Sequence, residues 1–122
     1  MKIQSYKDLV VWQKGFQLVL AIYHLTISFP KNEQFSLTSQ MRRAAISIAS
    51  NIAEGYQRKS SRELHRFLLI TLGSASELET QLLAAKELRL AIANQFSKSE
   101  NLLTKVLKLT NCFLNKLNNL NT

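Results

Sequence analysis

The sequence is poor in the residues that punctuate a chain. Three glycines and one proline among 122 residues are far below ordinary usage, which excludes an all-β chain with its many tight turns. A few long helices are what remains. Cys112 is the one cysteine, so no intramolecular disulfide and no cysteine zinc cage can form. Gly15, Gly55 and Gly73 are too dispersed for a phosphate-cradling loop. No apolar run approaches the roughly 18 residues that span a bilayer, and the start, Met1 to Asp8, lacks the apolar stretch of a signal peptide. A cytoplasmic protein without membrane contact is the expectation. Acid is also scarce: 8 Asp+Glu stand against 16 Lys+Arg, a net charge of +8. That excess favours anionic partners, of which nucleic acid is the commonest in cytoplasm, and says nothing about fold. What is plentiful is apolar residues, 46% of the chain, enough for a single domain over residues 1–122 to bury a core without staples.

The apolar residues are spaced for helices. A first helix is expected over about 6–29, opened by Ser5 and Asp8 at capping-box spacing and ended by Pro30. It carries two apolar stripes, one of Leu9, Trp12, Phe16, Val19, Tyr23 and Ile27, the other of Val11, Gly15, Leu18, Ile22, Leu25 and Phe29. One bundle needs only one stripe, so neighbours on two sides are implied. A second helix is expected over about 37–56, with Met41, Ala45, Ile48 and Ile52 facing the core. Beside them runs a polar row, Arg43, Ser47, Asn51 and Glu54, with alanines that permit close helix approach. Ser60 and Glu63 read as the capping box of a third helix over about 61–89. Its stripe is Leu64, Leu68, Thr71, Ala75, Leu78, Leu82 and Ala85, flanked by Ser74, Glu77 and Gln81. Ser97 and Glu100 repeat the capping spacing ahead of a fourth helix over about 98–118, with stripes of Leu102, Val106, Leu109, Phe113, Leu117 and Leu120, and of Leu103, Leu107 and Leu114. Asn118 to Thr122 read as a fraying end. Short links between long helices imply an all-α, antiparallel up-down-up-down four-helix bundle.

Several runs together resemble a known family. They are Tyr6-Lys7-Asp8-Leu9-Val10-Val11-Trp12-Gln13-Lys14, Leu37-Thr38-Ser39-Gln40-Met41-Arg42-Arg43-Ala44-Ala45, Ser50-Asn51-Ile52-Ala53-Glu54-Gly55, and Gly73-Ser74 with Glu77-Leu78-Glu79-Thr80-Gln81-Leu82. The chain is similar over about its first 88 residues to the bacterial four-helix-bundle proteins encoded in intervening sequences of large-subunit ribosomal RNA genes, or elsewhere in bacterial genomes. The resemblance implies a small cytoplasmic bacterial protein that assembles into a ring-shaped homopentamer. A related group, the accessory proteins of diversity-generating retroelements, has a similar bundle whose basic surface engages nucleic acid and a reverse transcriptase, which makes RNA, DNA and such a protein candidate partners. Two departures stand out. Ala49 replaces a frequent proline, which should leave the second helix straighter, and Glu87-Leu88-Arg89-Leu90 lacks the glycine that usually ends the third.

Catalytic constellations are thin. His24 and His65 fall on different helices and read as surface or boundary residues, and no His or Cys cluster has metal spacing. Glu54, Glu77 and Glu79 are the candidates for acid-base or metal work, but the Glu-x-x-His pattern of a di-metal bundle is missing. The expected role for Arg43, Ser47, Asn51, Glu54, Glu77 and Gln81 is a structural polar network, with Arg43 ion-paired to a glutamate across helices. No enzyme activity, metal or cofactor is predicted. The nucleic-acid candidates are Arg42, Arg58, Lys59, Arg62 and Arg66, with Arg43 beside them. Residues 31–60 carry five basic and two acidic groups, and residues 91–122 carry four and one. At the turn between the second and third helices these charges sit beside a helix N-terminus, which also favours phosphate. Contacts of this kind give affinity without sequence specificity. The alternatives are a solvated, solubilising surface and a protein-interaction scaffold. Trp12, Phe16 and Tyr23 could stack bases, but their helical spacing assigns them to the core or to a subunit interface. The doubled stripes of the first and fourth helices point to self-association.

Overall fold

The computed structural model describes residues 2–120, and only the backbone at Leu120. Four α-helices follow one another: α1 (Val10–Ile27), α2 (Leu37–Gln57), α3 (Ser61–Glu87) and α4 (Ser97–Leu120). There is no strand among the described residues. Packing runs around a square, α1 on α2, α2 on α3, α3 on α4 and α4 on α1. Side-chain register fixes the directions. Gly15 faces Ile48 and Ile52 while Thr26 meets Arg42, and Gly55 faces Phe67 while Ser47 meets Ser74. Rising numbers on one helix meet falling numbers on the next, so α1, α2 and α3 alternate. Lys86 at the end of α3 reaches Glu100 at the start of α4, which completes an antiparallel four-helix bundle.

The core draws on every helix: Leu18, Ile22 and Leu25 from α1, Met41, Ala45, Ile48 and Ile52 from α2, Leu68, Ala75, Leu78 and Leu82 from α3, and Leu102, Leu103, Val106, Leu114 and Leu117 from α4. Threonines at core positions are satisfied locally. Thr26, Thr71 and Thr110 each donate to the carbonyl four residues back, which removes the cost of an unpaired buried hydroxyl.

Four sequence expectations change. The Ser5–Asp8 capping box forms in full, but on a separate 3-10 turn, Tyr6–Asp8; Leu9 is extended, and α1 starts at Val10 without a side-chain cap. Of the two α1 stripes, only that of Val11, Leu18, Ile22 and Leu25 is buried. The other leaves Phe16, Tyr23 and Ile27 exposed, because one helix can turn only one face to one core. On α4, burial follows Leu102, Leu103, Val106, Thr110, Leu114 and Leu117. Leu107, Leu109 and Phe113 are half-buried against this core, so the doubled stripe of α4 is absorbed by its own bundle. Leu120 as a core side chain, and the fraying end at Asn121 and Thr122, lie outside the described residues. The Ser97–Glu100 box is not made: the Glu100 carboxylate accepts from Lys86 Nζ at 3.2 Å instead.

α2 runs unbroken through Ala49. The end of α3 is settled by backbone geometry. Leu90 N–H donates to the Ala85 carbonyl and Arg89 N–H to that of Lys86, both at 3.1 Å, the paired bonds of a Schellman motif. Arg89 takes the left-handed conformation, φ 58°, that glycine normally occupies there. A side chain in that conformation costs roughly 1–2 kcal/mol, of which glycine's greater freedom when unfolded returns a part. Arg89→Gly should therefore raise stability by about 0.5–1 kcal/mol, read as a higher urea midpoint; a lower one would mean that the arginine side chain holds the turn.

Candidate nucleic-acid interface

The turn between α2 and α3 is built by its caps. Ser60 Oγ accepts from Glu63 N–H at 3.3 Å, which starts α3. The reciprocal half of the expected box is absent because the Glu63 carboxylate turns outward. It takes two hydrogen bonds from Arg66, Nε at 3.1 Å and Nη2 at 3.2 Å, and lies 3.8 Å from Arg58. Arg58 also pairs with Glu54 at 3.0 Å. Both guanidinium groups lie over the Phe67 ring, Arg66 at 4.5 Å and Arg58 at 5.2 Å from its centroid. The hydrogen bond from Arg66 holds the Glu63 carboxyl below the usual carboxylate range, with the charges of Arg66, Arg58 and Arg62 acting the same way against desolvation. A carboxylate depressed in the folded state contributes stability above its unfolded pKa and loses it as pH falls through the folded value. At a solvated site that contribution is small.

This corner is thus partly neutralised. Of the residues singled out from sequence, Arg58 and Arg66 are engaged by carboxylates, while Lys59 and Arg62 are exposed and make no ion pair among the described residues. Lys59 is held out from the chain by its left-handed backbone, φ 55°. Arg42 does not join them. It lies sixteen residues back along α2, about 24 Å at helical rise, and is bound into the α1–α2 seam. Its Nε donates to Thr26 Oγ1 at 2.9 Å and its guanidinium covers the Tyr23 ring at 4.5 Å.

The polar network between α2 and α3 is smaller than its six expected members. Ser47 Oγ shares a hydrogen bond with Ser74 Oγ at 2.9 Å, and Asn51 Nδ2 donates to the Ser47 carbonyl and hydroxyl at 2.8 and 2.9 Å. Gln81 is buried, with no partner for Oε1. Glu77 and Arg43 are exposed, and the inter-helix ion pair expected of Arg43 is absent: its position on the rim of α2 points a long side chain to water, and Glu54 is taken by Arg58. His24 is exposed on α1 and His65 half-buried on α3. No group of three or more His, Cys, Asp or Glu side chains is placed to hold a metal among the described residues.

A second set of cations was present in the segment count but not singled out by residue. Lys98, Lys105, Lys108 and Lys116 are all exposed on α4, and none makes an ion pair among the described residues. Steps of seven, three and eight keep them on one side of the helix. The one acidic residue of α4, Glu100, lies on another face and is occupied by Lys86. The row spans about 27 Å at helical rise. Helical phase was the signal that could have found it.

The fold and these surfaces invite comparison with known proteins. Residues 7–112 match the family described as the 23S rRNA-intervening sequence protein. The chain belongs to that family. A solved structure from Bacteroides thetaiotaomicron, a protein of unknown function from the S23 ribosomal protein family, is similar at 25% identity with a TM-score of 0.77, over 86% of this chain and 98% of that one. No curated protein matches. No described helix of this family member is long and apolar enough to cross a membrane.

Proposed function

We propose that this 23S rRNA-intervening sequence family protein is a non-enzymatic, homo-oligomeric bundle of the bacterial cytoplasm that binds RNA or DNA with little sequence preference. The observation that carries the reading is the row of Lys98, Lys105, Lys108 and Lys116, exposed, unpaired and on one side of α4. Lysines without carboxylate partners are free to replace the counterions of a phosphate backbone, and the released ions supply the affinity. The α2–α3 corner adds Lys59 and Arg62. None of these groups is arranged to read base edges, so contacts position without specifying. A ring of five subunits, the assembly implied by resemblance, would multiply a modest site by avidity.

Self-association has its own support in α1. Trp12 stacks on Phe16 with ring centroids 5.2 Å apart, and Phe16 and Tyr23 remain 45% and 37% exposed. An aromatic edge of this kind is what a subunit contact covers.

The experiment is binding of a short single-stranded RNA at low salt. Lys105→Glu with Lys116→Glu should weaken binding and lower the slope of log affinity against log salt by about 2. Glu63→Gln, which frees Arg58 and Arg66, should tighten it about two- to fivefold. Unchanged affinity in the lysine variant would assign binding elsewhere, and undetectable binding of the native protein would favour the scaffold reading.

A further inference from the structure

A cleft of about 760 Å³ opens between the C-terminal half of α1 and the start of α4. Its walls are of two kinds. Leu20 and Ile27 give an apolar side, while His24, Gln95, Lys98 and Ser99 give a polar one, and no carboxylate is among the lining residues. Ser99 is the unusual member. It is 1% exposed, lines the cleft, and its hydroxyl makes no hydrogen bond to any described residue. A buried hydroxyl without a partner is costly, and Oγ is not among the sealed orphan atoms, which are Thr38 Oγ1 and Gln81 Oε1. It faces the cleft, where a ligand can satisfy it. The first turn of α4 lies beside it, with the positive end of the helix dipole.

We infer that this cleft binds a phosphate monoester carried on a flat apolar ring, the chemistry of a nucleoside monophosphate. The Lys98 ammonium, the Ser99 hydroxyl, the Gln95 amide and the His24 ring N–H supply donors for the phosphate, and Leu20 and Ile27 supply the surface for the ring. The volume falls within the range of small-ligand sites. Lys98 is also the first lysine of the α4 row, so the ligand has two possible sources: a free nucleotide, or the phosphorylated end of a strand lying along α4. The second source rests on the proposed nucleic-acid binding; the first does not.

The test is titration of the native protein with AMP, followed by backbone amide NMR and calorimetry, with adenosine as the control. Shifts should be confined to the cleft and include Lys98, Ser99 and His24, with adenosine much weaker. Lys98→Glu should weaken AMP by more than about tenfold, and Ser99→Ala by several-fold, through loss of charge-assisted and hydroxyl hydrogen bonds. Ser99→Ala barely changes volume, so an unaltered urea midpoint separates ligand loss from misfolding. Lys59→Glu with Arg62→Glu, at the far corner, should leave AMP affinity unchanged. Tighter binding of a 5′-phosphorylated RNA than of its 5′-hydroxyl twin assigns the cleft to strand ends; equal binding of the two with AMP still bound assigns it to free nucleotide. The absence of AMP-induced shifts, or AMP affinity insensitive to both Lys98→Glu and Ser99→Ala, would overturn the inference. RNA binding that persists in that case leaves the proposed function standing.

Discussion

Phe16→Glu is expected to dissociate the assembly by more than about a hundredfold while leaving each bundle folded. The argument begins with the two stripes of α1. The stripe of Leu18, Ile22 and Leu25 is wholly inside the bundle, whereas Phe16 stands 45% exposed on the other, stacked on Trp12. A charge placed there in the free subunit meets water and costs little. In a subunit contact it is buried without a partner, and about 3 kcal/mol of penalty, modest for a desolvated carboxylate, is already more than a hundredfold in an association constant. Light scattering at a series of concentrations reads the change, with circular dichroism to show that the helices persist. If the variant and the native chain have the same mass, α1 does not form the contact. A native chain that is monomeric throughout would remove self-association altogether.

Gly55→Val is expected to cost about 3 kcal/mol or more, and Gly55→Ala about 1–2, a sign opposite to helix propensity. A Cβ at Gly55 would lie 2.7 Å from Phe67 Cβ and 3.2 Å from Leu64 Cδ1. Phe67 Cβ is fixed to the α3 backbone, so relief requires the helices to part at the site where α2 and α3 cross. Phe67 also carries Arg58 and Arg66 on its ring, and the disturbance would spread to the corner. Gly73 provides the control. It sits mid-helix with nothing near its missing Cβ, so Gly73→Ala should gain up to about 1 kcal/mol from propensity alone. Urea unfolding of the three variants decides the matter. Parallel stabilisation of Gly55→Ala and Gly73→Ala would show that the crossing is not close.

Much of this architecture was legible in the sequence because helical periodicity and short connections leave few alternatives. The faces of α2 and α3 follow their apolar spacing residue for residue, from Met41 to Ile52 and from Leu68 to Ala85. α1 was harder, since Trp12, Phe16 and Tyr23 recur with the same period as Leu18, Ile22 and Leu25, and period alone does not say which row turns inward. Capping spacings told less than they promised. Glu63 and Glu100 sit three residues after a serine, but arginine and lysine side chains from elsewhere in the fold compete for both carboxylates and win. The same competition shrinks the basic corner. Arg58 and Arg66 count as positive in a charge sum, yet Glu54 and Glu63 engage them, while Arg42 is drawn to Tyr23 and Thr26. The α4 lysines were counted but not seen as a row, since segment sums discard helical phase. Ser99 was seen only as a small polar residue, because burial and the lack of a partner are properties of the packed bundle.

The most direct test of the central claim is the affinity of the native protein for a single-stranded RNA across a range of salt concentrations. Binding through the α4 lysines and the free cations of the corner predicts a log affinity that falls linearly with log salt, with a slope of roughly 0.7 for each phosphate engaged. An affinity that does not change with salt, or no binding even at the lowest salt, would contradict it.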